Sequence, residues 1–418
     1  MDKIIIQGKS NLNGFINVHG AKNAALPILV SSLLTNKNLI IKNLPNVGDI
    51  QNMIKLLNIF GTIVNKEKDY IILNSKNIKN ISADYDIIRK MRASILILGP
   101  LLSRFGSAKI SLPGGCAIGT RPIDIHLEGL KKLGASFEIE NGFVIGKVSN
   151  SLIGNKINFP FPSVGATENI LMSAVLAKGE TLIENAAREP EIVDLAKSLK
   201  KMGAKINGEG SNKIIIQGVD SLEEGNHHVI SDRIVAGTYI IAAIMLNSNF
   251  EVRNFNPHHL SSLINILKSM GSNLEIKNNS VLISKAKNIK SIHVETLPYP
   301  GFPTDLQAQL MALMCLADGD STIRETVFEN RFMHVSELNR LGASIRVEKD
   351  IAYIKGNQKF KGAQVMASDL RASVSLVLAA LSAVGTTVIN RVYHLDRGYE
   401  KIEETLGKLG PDIKREKN

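Results

Sequence analysis

Six times in this chain an amphipathic segment runs into a hydrophobic residue and a glycine, then into a short β-like stretch. The copies close at Gly61, Gly134, Gly203, Gly271, Gly342 and Gly410, a period of roughly 70 residues. A second element recurs between them: a long apolar helix-like run followed by a β-branched strand. AALPILVSSLL leads to NLIIKNL, ATENILMSAVLAKG to ETLIENA, QAQLMALMCLADG to STIRET, and ASVSLVLAALSAVG to TTVINRV. Each unit therefore reads as strand, helix, strand, helix and strand pair, with the glycine after the second helix as a left-handed C-cap. Six such units make an α/β protein of two domains with three units each.

The charged and hydroxyl residues fall at particular places in that scheme. Lys22 and Asn23, Arg92, Ser163 and Thr167, Asp232 and Arg233, Thr304 and Asp305, and Asp369 and Arg371 stand just before or inside the first turn of apolar helices. A helix start offers unpaired N–H groups and a positive dipole end, so cationic or hydroxyl side chains there suit phosphate and carboxylate binding. Ordinary capping explains Ser163 or Thr304 equally well. It does not explain Lys or Arg, which the dipole disfavours at that end.

At 418 residues the chain fits two domains of about 200. The net charge of +11 points to anionic partners. With aromatics at 5% and no aromatic cluster interleaved with Arg or Lys, single-stranded nucleic acid is disfavoured, leaving small phosphorylated molecules. No stretch approaches the ~20 apolar residues of a membrane span. Two cysteines without paired spacing give neither a disulfide framework nor a zinc site. A soluble protein of the reducing cytoplasm is the expectation. Cys315, inside LMALMCLA, reads as a buried small hydrophobe.

Between the strand-like KISLP and the helix-like IDIHLEGLKKLG lie Gly114, Gly115, Cys116, Ala117, Ile118, Gly119, Thr120, Arg121 and Pro122. Gly114 and Gly119 have P-loop spacing, but Thr120 and Arg121 stand where that motif needs Lys and then Ser or Thr. Three glycines around one thiol describe a mobile loop whose backbone can approach a ligand, with Pro122 suited to opening the next helix. Beside Arg121 and near a positive helix end, Cys116 should be a reactive thiolate.

The segment LPGGCAIGTRPIDIHLEGL resembles the catalytic loop of the UDP-N-acetylglucosamine 1-carboxyvinyltransferases, a family of enolpyruvyl transferases. Other blocks agree with that family: HGAKNAALPIL at 19–29, MRASILILGPLLSRFG at 91–106, SVGATENI at 163–170, AAREPEIVDLA at 186–196, PGFPTDLQAQLMAL at 300–313, ENRFMHVSELNRLGA at 329–343, DLRASVSLVLAAL at 369–381 and HLDRGYEKIEETLGKLG at 394–410. The resemblance runs nearly end to end. Thr120 departs from the family's frequent Ala, and Pro411 departs from the small residue that follows the glycine in most copies of the repeat. It implies a two-domain inside-out α/β barrel, with one domain at 21–229, the other at 1–20 plus 230–418, and the active site in the cleft between them.

The family moves the enolpyruvyl group of phosphoenolpyruvate to the 3′-hydroxyl of UDP-N-acetylglucosamine, opening peptidoglycan synthesis. No metal or organic cofactor is implied, and the chain is expected as a monomer or weak homo-oligomer. By resemblance, Lys22, Arg121 and Arg397 gather around phosphoenolpyruvate, with Arg92 and Arg371 adding to the cationic field. Cys116 is implied as the acid that protonates the methylene carbon, as the site of a covalent adduct and as the target of fosfomycin. Asp305 is implied as acceptor of the hydroxyl proton. There is tension in that role, because an Asp of reference pKa about 3.9 among cations is a weak base. Asn23, Arg121, Pro122, Asp124, Ser163, Val164, Gly165, Asp305 and Val327 are implied to hold the nucleotide sugar, and Asp369 stands beside Arg371 and Arg397. The shikimate-pathway enolpyruvyl transferase is the alternative within the fold. The pairs His227-His228 and His258-His259 read as polar loop residues, having no neighbouring carboxylate at metal spacing. Glu189 and Glu191 read as structural, pairing with Arg.

Overall fold

The computed structural model describes residues 2–83, 85–88, 91–112 and 123–417. They fall into two compact units, one built from described residues of 20–230 and the other from residues 2–19 and 231–417. Each unit has its own hydrophobic core.

The repeat is physical. Lys156–Asn158 enters the Val164–Ala174 helix, Glu180–Glu184 returns parallel to the first strand, the Pro190–Lys201 helix follows, and Lys205–Asn207 with Lys213–Gln217 closes an antiparallel pair. That is the βαβαββ order expected from the sequence. Among the described residues six four-stranded sheets result, three in each unit. All six repeat glycines adopt positive φ, from 93° at Gly271 to 121° at Gly410. At Gly61 the left-handed cap donates its N–H back to Asn58 and lets the chain turn at once into the Ile63–Lys66 strand.

Apolar composition decides which helix goes inside. All thirteen residues of Arg233–Met245 are buried, as are twelve of thirteen in Leu370–Ser382 and nine of ten in Gln307–Leu316. A helix that is apolar all round must be enclosed, and each fully buried Ile or Leu side chain contributes about 1.5–3 kcal/mol. The second helix of each repeat is amphipathic and buries one face, as Gly48–Phe60 does through Ile50, Met53, Ile54, Leu57 and Phe60. Strands such as Lys3–Gln7 and Lys213–Gln217 alternate buried and exposed residues, as one-sided sheets do.

Two strand pairings depart from simple succession. Phe15–Asn17 precedes the Lys22–Ser31 helix in sequence, yet it pairs parallel with Phe250–Arg253. Gly225–His228 precedes the Arg233–Met245 helix but pairs parallel with Asn38–Lys42. The strands are exchanged where the chain passes from one unit to the other. A further closure joins the ends: Lys3–Gln7 lies between Thr386–Asn390 and Ile413–Glu416 in one sheet, so the polar tail after Pro411 is completed by the N-terminal strand.

Candidate active site

Asp305 sits where the loop 297–303 enters the short turn Thr304–Leu306, directly before the buried Gln307–Leu316 helix. Its two carboxylate oxygens accept from two different guanidinium groups. Arg331 Nη2 donates to Oδ1 at 2.6 Å and Arg371 Nη2 to Oδ2 at 2.8 Å. Both arginines are buried, and the Asp305 side chain is 26% exposed. Arg371 occupies the first turn of Leu370–Ser382, where the dipole alone disfavours a cation. Burial pulls its guanidinium pKa down, and the charge of Asp305, with Tyr399 and Asp232, outweighs that and holds it above the ordinary arginine value.

Behind this pair runs a buried polar ring. Tyr399 hydrogen-bonds Arg371 and lies 2.9 Å from the Thr238 hydroxyl. Thr238 Oγ1 donates to the Ile234 carbonyl, so it accepts from Tyr399 and from Gln309 Nε2 at 3.1 Å. Gln309 Nε2 also donates to the Asp305 carbonyl at 3.1 Å. The main chain and the side chain of Asp305 are thus held by the same circuit.

In the other unit, Lys22 opens the Lys22–Ser31 helix and its Nζ donates to Asp49 Oδ2 at 2.9 Å, with both side chains nearly enclosed. Asp49 lies in the first turn of the Gly48–Phe60 helix, a favourable position for an anion. A third cluster forms around His126, in the first turn of Asp124–Lys132. Asn169 Nδ2 donates to His126 Nδ1 at 3.1 Å, which leaves the ring proton on Nε2. Burial, with the charge of Arg92 adding, lowers the His126 pKa to about 4, so the ring is neutral at pH 7. Its edge packs on Gly165 so closely that a Cβ there would meet Cε1 at 3.2 Å. A side chain at Gly165, near the start of the Val164–Ala174 helix where Ser163 caps Ala166 N, would need the ring to shift by a few tenths of an ångström. Of the predicted site residues, Gly165 lies against this neutral imidazole and Arg92 acts on it through its charge, while Asp124 stands two residues before it on the same helix.

Several expectations change. Thr304 is not a cap: its hydroxyl donates to Glu325 Oε2 at 2.9 Å. Thr167 accepts from Ala187 N at 3.0 Å and braces the chain entering the next helix. Asp232 and Asp369 each cap their helix, Asp369 Oδ1 accepting from Arg371 N at 2.9 Å and Ala372 N at 3.2 Å. His227 is no loop residue. It lies buried in the Gly225–His228 strand, with Nε2 2.9 Å from Asp194 Oδ1. The carboxylate comes from a helix 33 residues earlier, a pairing invisible to local spacing. His258 and His259 do lie on a short surface turn. Glu189 and Glu191 place their charges on Glu168; burial first, and those charges second, push the Glu168 carboxyl well above the ordinary range.

Asn23 is half-buried in the first turn of its helix, Arg397 ends the turn Val392–Arg397, and Val327 is exposed two residues after Glu325. Cys116, Arg121 and Pro122 lie outside the described residues. Cys315 is buried as expected, and burial pushes its thiol up to about 12. Sequence reasoning missed Arg331, Asp49, His126 and Glu325 as partners of the site residues. Among the described residues no helix is long and apolar enough to cross a membrane.

The architecture is that of the enolpyruvyl transferases. The enolpyruvyl transferase NikO from Streptomyces tendae superposes with a TM-score of 0.90 at 23% identity, covering 99% of both chains. An EPSP synthase from Acinetobacter baumannii gives 0.77 at 19% identity over 100% of both. The family model described as EPSP synthase (3-phosphoshikimate 1-carboxyvinyltransferase) matches residues 6–406. Proteins named UDP-N-acetylglucosamine 1-carboxyvinyltransferase are far more similar in sequence. That of Pelagibacter ubique (strain HTCC1062) is 52% identical over 99% of this chain and 100% of its own, and that of Geobacter metallireducens is 50% identical over 100% of both. The chain belongs to this transferase family, the UDP-N-acetylglucosamine 1-carboxyvinyltransferases of the EPSP synthase superfamily.

Proposed function

We infer that this protein transfers the enolpyruvyl group of phosphoenolpyruvate to the 3′-hydroxyl of UDP-N-acetylglucosamine, releasing inorganic phosphate, as a step of peptidoglycan synthesis in the cytoplasm. Full-length identity of about half to relatives of that name supports the substrates. The observation that carries the chemistry is the Asp305 carboxylate held by Arg331 and Arg371.

In the addition step a proton goes to C3 of phosphoenolpyruvate, the sugar oxygen bonds to C2, and the hydroxyl proton is released. In the elimination step the C2–O bond to phosphate breaks and a proton leaves C3, restoring the double bond. No electrons enter or leave. Positioning and proton movement are what the protein has to supply. A carboxylate has about four lone-pair sites, so gripping by two guanidiniums is compatible with Asp305 accepting a substrate hydroxyl as well. Two cations stabilise the carboxylate form, which makes Asp305 foremost an orienting acceptor that takes the proton once C2 is cationic and the hydroxyl has become acidic.

Lys22 and Arg397, with Arg121, serve the phosphate and carboxylate of phosphoenolpyruvate, guanidinium forks binding such groups in bidentate fashion. Asn23, Arg92, Asp124, Ser163, Val164, Gly165 and Val327 serve the nucleotide sugar, Arg121 and Pro122 contribute from the glycine loop, and Asp369 and Arg371 support Asp305. Cys116 acts as proton donor through its thiol form, against a cationic setting that favours the thiolate, and as adduct site. A phosphate-release assay with phosphoenolpyruvate, comparing UDP-N-acetylglucosamine with shikimate 3-phosphate, decides the acceptor; release with the shikimate alone overturns the reading. Asp305→Asn should fold and bind the nucleotide sugar while turnover falls about a hundredfold or more, the scale of a lost acid–base group. Near-normal turnover removes Asp305 from the chemistry.

A further inference from the structure

Glu325 is 5% exposed, yet it has four hydrogen-bond donors converging on its carboxylate. Oε1 accepts from Thr296 Oγ1 at 2.9 Å, from Val327 N at 2.9 Å and from Phe328 N at 3.2 Å. Oε2 accepts from Thr304 Oγ1 at 2.9 Å. Two of these donors are main-chain groups of the turn that carries Val327. The other two are hydroxyls at either end of the loop 297–303, whose exit leads straight into Asp305. We propose that Glu325 is a positioning residue for the enolpyruvyl transfer, setting the Val327 turn and the Asp305 turn in one fixed relation through a single carboxylate.

The chemistry favours this over a filler role. Burying a carboxylate costs several kcal/mol of hydration, and a well-packed apolar side chain is often the cheaper solution where only stability is at stake. What a carboxylate supplies here is a rigid planar acceptor with two oxygens, able to take donors from two segments at once. One oxygen closes the turn at 325–328. The other holds the hydroxyl of the residue immediately before Asp305, and the Thr304 carbonyl faces Arg331 Nη2 at 3.5 Å. The loop between is pinned further by Leu297 N donating to Phe302 O at 2.9 Å, and Thr296 Oγ1 in turn accepts from Thr326 N at 3.0 Å. Movement of either turn therefore stretches bonds to the same group. A substrate touching Val327 and reacting at Asp305 meets both turns already in register, and this is the ordering that catalysis by proximity demands.

This inference rests on the proposed reaction, so the unmodified protein is assayed first. No phosphate release with phosphoenolpyruvate and UDP-N-acetylglucosamine sinks the reaction itself, and the role of Glu325 with it. With turnover established, the arms of the brace are cut separately. Thr304→Val removes only the bond to the Asp305 side, and kcat should fall about tenfold, with KM for UDP-N-acetylglucosamine within about twofold, as expected for losing one hydrogen bond to a charged group. Glu325→Ala removes both arms, so kcat should fall further and KM should rise about fivefold or more. Glu325→Gln can keep Oε1 on the Val327 turn while its amide donates to Thr304, which turns its hydroxyl to accept; it should recover most of the activity lost in Glu325→Ala. If Glu325→Ala does not fold, Thr304→Val and Glu325→Gln still decide the matter. Variants that lower thermal stability while leaving kcat and KM unchanged would reduce Glu325 to a structural residue and overturn the proposal.

Discussion

Acid should destabilise this protein through two buried histidines, one in each unit. His126 and His334 are enclosed, and burial is the first cause that lowers both pKa values to about 4 from 6.5; the charges of Arg92 and Arg331 add, and at His334 Asp369 opposes. The sign follows from proton counting. Between pH 6.5 and 4 the unfolded chain binds a proton at each position and the native protein does not, so stability is full above 6.5 and falls as pH drops through that window. The drop from 6.5 to about 4, at about 1.4 kcal/mol per unit, amounts to roughly 3 kcal/mol for each ring once pH is below 4, of which about 2 kcal/mol is already lost at pH 5. Glu168 acts in the opposite direction, because its raised pKa makes the native state the better proton binder above the ordinary carboxylate value. The histidine contribution is therefore isolated by difference. Urea unfolding is followed by far-UV circular dichroism, since the chain has no Trp, at pH 7 and pH 5 for the unmodified protein and for His126→Gln with His334→Gln. The double variant should lose about 4 kcal/mol less on acidification than the unmodified protein, shared between the two units. Equal losses in both proteins refute the assignment of neutral buried imidazoles.

Three further outcomes are open to measurement. Tyr399→Phe deletes the hydroxyl that joins Arg371 to Thr238, and kcat for phosphate release should fall about tenfold with nucleotide-sugar KM little changed; an unaltered kcat would show that Arg371 needs no such support. Asp49→Asn weakens the charge-assisted bond to Lys22 Nζ, and kcat/KM for phosphoenolpyruvate should drop about tenfold, the scale of a bond worth 1.5–3 kcal/mol in part retained by the amide. Mass spectrometry after brief native-state treatment with a thiol alkylator or fosfomycin should find the label at Cys116, because the Cys315 thiol is buried and its pKa is pushed up to about 12; label at Cys315 contradicts the contrast.

What the sequence made legible and what it withheld divide along the separation between interacting groups. The six glycines, the apolar helices and the one-sided strands are local patterns, and the βαβαββ units follow from them. Asp232, Asp369 and Ser163 are likewise local, each capping N–H groups two or three residues ahead. The exchanged strands could not be read in this way, since Phe15–Asn17 and Phe250–Arg253 are joined by pairing and not by succession. The same holds for the site. Asp305 was visible as a charge at a helix start, but its partners lie 26 and 66 residues onward, and Lys22 meets Asp49 across 27. His126, in a stretch that reads as an amphipathic helix, gains its meaning from Asn169 and Gly165. Thr304 shows the same limit: a hydroxyl at a helix start reads as a cap, and here it donates instead to a carboxylate 21 residues later. Charge at a helix terminus is thus a marker of position alone. Whether it caps, binds or reacts is settled by side chains from further along the chain: in this protein Asp49, Glu325 and Arg331 come from later in the same repeat and Arg371 from the next.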